Sequence, residues 1–367
     1  MLYAMMSIGV LGFVVWSWVL ASSHGNMWII YFAICWNGLV LIGTLKGKNP
    51  VSYTQSAGNL SLNSLNNDIQ SASETTRETS FNYLAFRLYY NKLFGDTKVN
   101  LSNNWLTWFI GFAEGDGAIQ TYENGTRVRF VLTQKEDAIL YHIQKKLGIG
   151  TVKHFPQGKS GNNNDFYRWS VDNSSHILLL AFLFNGNLAL SHRINQLFLW
   201  IQVLNKRFGM STLLHINTPV LVSLKDAWLS GFTDAEGCFN VSISHNTRYA
   251  LHNVIKMRYL LDQKDSLILN KIRDLFGFGK VTERSKAVGV YRYTATGFKS
   301  MNDIITYFND FPLLTKKARS LEKWSIIHKL LANKLHLTEK GLSEIIILKK
   351  DINISNSLTN KTGSAHP

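Results

Sequence analysis

Two segments constrain the fold more than any other feature of the chain. "WFIGFAEGDGAIQ" runs from Trp108 to Gln120, and "WLSGFTDAEGCFN" repeats its layout from Trp228 to Asn240. Each is apolar, interrupted by small residues, and ended by two acids around a small residue. Positions four apart share one face of a helix. Gly111 and Gly115 therefore form one stripe, and Gly231 and Ala235 form its counterpart. Side chains this small let two helix backbones approach closely, so the two segments are expected to pack together around a pseudo-dyad. The acid after each stripe, Asp116 or Glu236, is followed by Gly117 or Gly237. A left-handed glycine is expected there to end each helix. Packing then brings both carboxylates together.

The duplication continues beyond the motif. "TQKED" aligns with "DQKD", "KLGIGTV" with "LFGFGKV", and "FYRWSV" with "VYRYTA". Asn185 and Trp200 match Asn309 and Trp324 at the same separation. Two copies of such length exclude a short-period solenoid. The expected fold is α+β, with two pseudo-symmetric αββαββα halves, motif helices at their interface and antiparallel sheets forming a saddle. Asn124-Gly125 is a hairpin signal. Strand side chains alternate, so Val128, Phe130 and Leu132 oppose Arg127, Arg129 and Thr133. Likewise Phe239, Val241 and Ile243 oppose Asn240, Ser242 and Ser244, while Lys256 and Arg258 oppose Ile255, Met257 and Tyr259. Each sheet thus has an apolar face for helices and a polar, cationic one. Trp200 and Trp324, in helical segments, are expected in the core.

The 367 residues carry 39 Lys plus Arg against 24 Asp plus Glu, a formal net charge of +15. That excess favours a polyanionic partner, nucleic acid or an anionic membrane surface. Cys35 and Cys238 make neither a disulfide framework nor a metal spacing. The histidines have no paired ligand spacing, and no Walker glycine pattern is present. Residues 1–45 lack every Asp, Glu, Lys and Arg; their apolar runs, Leu2 to Ala21 and Met27 to Leu45, approach the length that spans a bilayer. Neither a secretory signal nor an Arg-rich transit peptide is expected. Residues 46–100 read as a polar linker, 101–215 and 216–350 as the two halves, and 351–367 as a disordered tail.

Carboxylates meeting at helix C-termini repel, and the negative ends of the macrodipoles add to the repulsion. A hard divalent cation resolves this, since carboxylate and carbonyl oxygens suit Mg²⁺. Beneath a cationic sheet such an ion activates water for phosphodiester hydrolysis.

"FIGFAEGDG" and "LSGFTDAEG" resemble the paired motifs of the single-chain LAGLIDADG homing endonucleases, over roughly Leu101 to Lys350. The resemblance implies that Asp116 and Glu236 bind the catalytic metals, while Glu114 and Asp234 take helix-end, structural roles. Gly115 stands where the family usually has alanine. The resemblance also implies that Gln134 and Gln263 orient water, although their strand parity differs from the cationic face and requires a strand-end twist. It implies a basic residue at the scissile phosphate. "LSHR" and "LTKK" align, making Lys316 or Lys317 the candidate in the second half, with Lys316 assigned here, and His192 or Arg193 in the first. Arg127, Arg129, Lys256 and Arg258 are assigned to the DNA surface, with Arg248 and Tyr122 as lesser candidates.

"YAMMSIGVLGFVVWS", Tyr3 to Ser17, resembles a transmembrane stretch of mitochondrial cytochrome c oxidase subunit 1. That implies a reading frame running from an exon into a group I intron, and a mitochondrial location. The expected function is Mg²⁺-dependent cleavage of double-stranded DNA at a long, asymmetric target, by a monomer, for intron homing. The alternative is an RNA maturase that assists splicing of its own intron RNA. A third reading makes the chain a membrane protein anchored by residues 1–45.

Overall fold

A computed structural model describes residues 3–7, 15–23, 26–35, 38–45, 81–95, 101–123, 125–156, 165–208, 213–249, 251–285 and 287–352. The chain divides into Met1–Leu60 and Ser61–Pro367. In the first unit, β1 (Tyr3–Ser7), β2 (Val15–Ser23), β3 (Asn26–Cys35) and β4 (Gly38–Leu45) pair in order as an antiparallel meander. The apolar runs considered as bilayer spans, and the oxidase-like stretch except for residues 8–14, contribute to these strands. Among the described residues no helix is long and apolar enough to cross a membrane.

Among the described residues the first helix of the second unit is α1 (Leu84–Phe94), inside the stretch expected to be linker. Phe86, Tyr89 and Tyr90 are buried there, and the rings of Tyr89 and Phe182 lie 5.2 Å apart. Asn187 ties down the approach: its Oδ1 accepts from the Asn82 amide at 2.8 Å, and its Nδ2 donates to the Asn82 carbonyl at 2.6 Å. The first half therefore begins some residues before Leu101. "FNYLAFRLYYNKLF" places aromatics at helical spacing, a signal diluted by its polar surroundings. The rest of the expected linker, 46–80 and 96–100, lies outside the described residues, as does the tail from 353.

The duplicated elements follow. The first half contains α2 (Asn103–Asp116), β5 (Gly117–Tyr122), β6 (Arg127–Gln134), α3 (Asp137–Leu147), β7 (Thr151–Phe155), β8 (Phe166–Val171), α4 (Ser174–Phe184) and α5 (Ser191–Phe208). The second contains α6 (Trp228–Glu236), β9 (Gly237–His245), β10 (Asn253–Gln263), α7 (Ser266–Phe276), β11 (Lys280–Arg284), β12 (Ala287–Thr296), α8 (Phe298–Asp310) and α9 (Lys317–Ala332). After a 3-10 turn, α10 (Glu339–Asp351) packs its Ile345 into the core and is the last described helix. The sheets have the same order, β5-β6-β8-β7 and β9-β10-β12-β11, all antiparallel. The expected α+β fold with two αββαββα halves is present.

Local chemistry explains the symmetry. The helices α3 and α7 end on Gly148 and Gly277, at φ 70° and 72°, a left-handed conformation that disfavours a Cβ. Val128, Phe130, Leu132, Phe239, Val241, Met257 and Tyr259 all point inward and are buried, as their parity demands. Trp200 and Trp324 are fully buried, and each donates its indole N–H to the first strand of its half, at Gln120 O and Asn240 O. Gly125 takes φ 80° in the β5–β6 turn; Asn124 lies outside the described residues.

The helices α2 and α6 cross with their backbones in contact. A Cβ on Gly111 would lie 2.1 Å from the Trp228 carbonyl oxygen, and one on Gly231 would lie 1.8 Å from that of Trp108. Gly115 faces Ala235: a Cβ there would come within 2.3 Å of the alanine Cβ, so a glycine opposite an alanine sets the separation. The glycines ending these helices are not left-handed as expected. Gly117 (φ −76°, ψ 148°) and Gly237 (φ −81°, ψ 154°) are extended, entering β5 and β9 directly. Space selects glycine instead: a Cβ would meet the Ala113 oxygen at 2.3 Å in one half and the Thr233 methyl at 2.4 Å in the other. Substituting Gly111→Ala or Gly231→Ala is expected to lower stability by about 1–3 kcal/mol or more through overpacking against backbone. Urea titration checks this, and an unchanged midpoint for both variants contradicts the crossing.

Candidate active site

The inner acids of the two motifs lace the halves together. Trp108 of α2 donates its indole N–H to Asp234 Oδ2 at 2.9 Å, and Trp228 of α6 donates to Glu114 Oε2 at 2.7 Å. Glu114 also accepts from the amides of Ala189 and Leu190, at 2.8 and 2.7 Å. Asp234 accepts from the Leu314 amide at 2.7 Å and the Thr315 hydroxyl at 2.5 Å. Each acid therefore fixes the other half's motif helix and the loop entering its own half's last long helix. Burial raises both carboxyls, Glu114 to about 7.

Two residues on, Asp116 and Glu236 take a different surrounding. They follow the touching Gly115 and Ala235, so the two carboxylates end up adjacent across the pseudo-dyad. Gln134 donates from Nε2 to Asp116 Oδ2 at 2.5 Å, and Gln263 donates to Glu236 Oε1 at 3.5 Å. The glutamines need no strand-end twist. Gly117 pairs with Leu132 and Gly237 with Leu261, so each glutamine lies two residues beyond the pairing, on the face that the helix has just vacated. The core face there becomes the site. Burial, then the neighbouring charge of Asp116, lifts Glu236 to about 7. Burial also raises Asp116, opposed by Gln134, Lys317 and Arg193.

The cation opposite Glu236 is Lys317 and not Lys316. Lys317 Nζ donates to the carbonyls of Ala235 (2.7 Å) and Thr233 (3.0 Å) at the end of α6. Lys316 precedes α9; its amide, not its side chain, contacts Glu136. In the first half Arg193 takes the equivalent place, donating to the carbonyls of Glu114 (3.0 Å) and Gly115 (3.1 Å). His192 lies instead among the charges of Asp265 and Lys264. Cations on helix-terminal carbonyls offset the macrodipole. Burial lowers both side chains, and the carboxylates Asp116 and Glu236 pull them back up. The "LSHR"/"LTKK" alignment contained this pair; only the helical start decides between adjacent cations.

Above the carboxylates lie the two polar sheet faces. Arg127 and Arg129 each rest over the Tyr122 ring at 5.6 Å, the first paired with Glu123 (2.9 Å), the second with Asp172. Arg258 is held by Asn240 at 3.1 Å, Lys256 is exposed, and Arg248 is exposed in the β9–β10 turn. The sequence reading missed a second pair nearer the centre. Arg168 packs over Phe155 and Phe166, at 4.9 and 5.4 Å, and Arg292 is gripped by Asp262. Their shared place in "FYRWSV" and "VYRYTA" is the signal that was available.

Two half-buried carboxylates, both raised by burial and Glu236 also by the charge of Asp116, are a hard-oxygen donor set for a divalent ion. Among the described residues no group of three or more His, Cys, Asp and Glu side chains lies together. A family model described as LAGLIDADG endonuclease matches residues 109–204 and 229–328, one copy per half. "Probable intron-encoded endonuclease 4" of Neurospora crassa is 36% identical over 265 residues, covering 71% of this chain and 46% of that protein. "Intron-encoded RNA maturase bI4" of Saccharomyces cerevisiae is 24% identical over 329 residues, covering 82% and 48%. The chain thus spans about half the length of these two relatives. The structure of I-SmaMI bound to an uncleaved DNA target in the presence of calcium ions superposes with a TM-score of 0.53 at 20% identity, covering 70% of this chain and 100% of that one. Two matched motif copies, converging on one pair of acids, make this chain a member of the LAGLIDADG endonuclease family.

Proposed function

We propose that the chain is a site-specific endonuclease that cuts both strands of a long, asymmetric DNA duplex in the mitochondrion, with Mg²⁺ as its metal. The observation that carries this reading is the juxtaposition of Asp116 and Glu236 beneath two cationic sheet faces. Those two carboxylates would hold the metal. Bound there, Mg²⁺ supplies a lowered water pKa and charge stabilisation on the phosphate.

The protein's own groups do the rest. Gln134 fixes the Asp116 carboxylate through Oδ2. Gln263 does so more loosely for Glu236, because its Oε1 is committed to the Lys264 amide at 2.7 Å. Arg193 and Lys317 present positive charge beside the carboxylates, where it offsets negative charge gathering on a phosphate in the transition state. The polar faces differ between halves, which suits an asymmetric target, and one acid per half suits one cut per strand.

Incubating the full chain with Mg²⁺ and a duplex spanning the intronless junction of the oxidase subunit 1 gene is expected to give a double-strand break. Asp116→Asn or Glu236→Gln is expected to slow that break by on the order of a hundredfold or more. Intact DNA with the folded wild-type chain, there and across a randomised library, rules the reading out. Because Glu236 titrates at about 7, the metal competes with a proton below that pH. Cleavage at limiting Mg²⁺ should rise as pH passes through 7. The raised carboxyl also makes the metal-free fold lose stability as pH climbs from the ordinary carboxylate range to about 7, since the folded state holds the proton longer. Glu236→Gln should remove its share of that loss, as read from melting temperatures across the range.

A second reading is favoured by the similarity to the Saccharomyces maturase: the basic faces bind the chain's own intron RNA and assist its splicing. Splicing that persists in the Asp116→Asn, Glu236→Gln double variant, with cleavage abolished, is its expected signature.

A further inference from the structure

The pseudo-dyad relates Thr133 to Asp262 and Arg168 to Arg292, but the two arginines have different partners. Asp262 and Arg292 are partners in the β10–β12 register, one residue from Gln263, and so lie at the central end of the second sheet. Asp262 Oδ1 accepts from Arg292 Nε and Oδ2 from Arg292 Nη2, both at 2.6 Å. Arg284 adds an Nη1 contact to Oδ2 at 3.1 Å. In the first half, Arg168 has the Thr133 hydroxyl at 3.3 Å and two aromatic rings, and among the described residues no carboxylate pairs with it.

A guanidinium has five N–H donors in a rigid fork. The Asp262 carboxylate occupies the side made by Nε and one Nη2 hydrogen. The forward pair, one hydrogen on each Nη, stays open, parallel and immobilised. Arg292 keeps a third of its side-chain surface exposed, which leaves room for a ligand to reach it. A neutralised, oriented guanidinium gains little from a phosphate, whose attraction is for net charge. It is suited to two acceptors side by side in one plane, which the O6 and N7 of guanine present in the major groove. Arg168 is the reverse case: it has full charge and no carboxylate clamp, and suits a backbone phosphate.

We infer that Arg292, clamped by Asp262, reads one guanine close to the cut in the second half-site, and that its pseudo-symmetric partner Arg168 contacts phosphate and reads no base. The inference rests on the DNA-cleaving reading above and assigns that reading a determinant of specificity. The test is selection of duplexes from a randomised pool by the full chain, with Ca²⁺ replacing Mg²⁺, followed by salt titration on the selected sequence. The wild-type chain should enrich a consensus with a guanine at one central position. Arg292→Ala should lose that preference by on the order of tenfold, leaving the other positions intact. Arg292→Lys, which keeps the charge, should lose it too with an unchanged salt slope. Asp262→Asn should weaken the preference at the same position. Arg168→Ala should weaken all sequences alike and reduce the salt slope by about one. A consensus left unchanged by Arg292→Ala or Arg292→Lys overturns the inference alone, as does a base preference erased by Arg168→Ala. A pool that the wild-type chain never enriches overturns the DNA-cleaving reading and this inference together.

Discussion

The structure depends on a contact between two helix backbones at their glycines. With Gly111 and Gly231 each pressed against a carbonyl oxygen of the other helix, no side chain separates α2 from α6. Any wider spacing would move the ends of both helices apart, and with them Asp116 and Glu236. The same closeness lets Trp108 and Trp228 reach past the crossing to the opposite half's inner acid. Interface and site are therefore one object. A residue that alters the crossing alters the chemistry, although it touches no substrate.

Two acids in each motif look redundant in sequence, yet burial and hydrogen bonding separate their roles. Glu114 accepts from two backbone amides and an indole, and Asp234 from two amides, a hydroxyl and an indole; both spend their acceptor capacity inside the protein. Asp116 and Glu236 have one glutamine each, leaving oxygens unspent. A carboxylate without enough donors in a buried place is costly. The protein retains two such groups side by side, with Arg193 and Lys317 bonded to carbonyls and not to the carboxylates. That leaves the acids attracted to positive charge while keeping them open to a further ligand.

Much of this was legible in the sequence because symmetry doubled each weak signal. A single Gly-x-x-x-Gly stripe says little, but two with matching acids, loops and tryptophans specify the halves, the crossing and the carboxylates. Inward and outward strand residues followed from alternation alone. What escaped was decided by three-dimensional offsets of one or two residues. Lys316 and Lys317 differ by a rotation about a helix start. Gln134 and Gln263 fall on the core side of their strands, yet that side is the site where the strands outrun their helix. Gly117 and Gly237 were read for their backbone freedom and turn out to be needed for want of a Cβ. The helix α1 was hidden by averaging, since its aromatics lie within a long polar stretch.

Duplication also explains where the halves may diverge. Positions that set the crossing are constrained by both copies at once, so glycine faces backbone in each. Sheet-face positions meet only solvent or ligand, and there the copies part: Thr133 against Asp262, the Asp172 partner of Arg129 against the Asn240 partner of Arg258. A symmetric core with unlike faces lets recognition drift on each half without disturbing the shared carboxylates. Asp262 is the exception, since its charge also helps raise Glu236. A change at that one position acts on the reading surface and the reacting centre together, and in the first half Thr133 introduces no such charge.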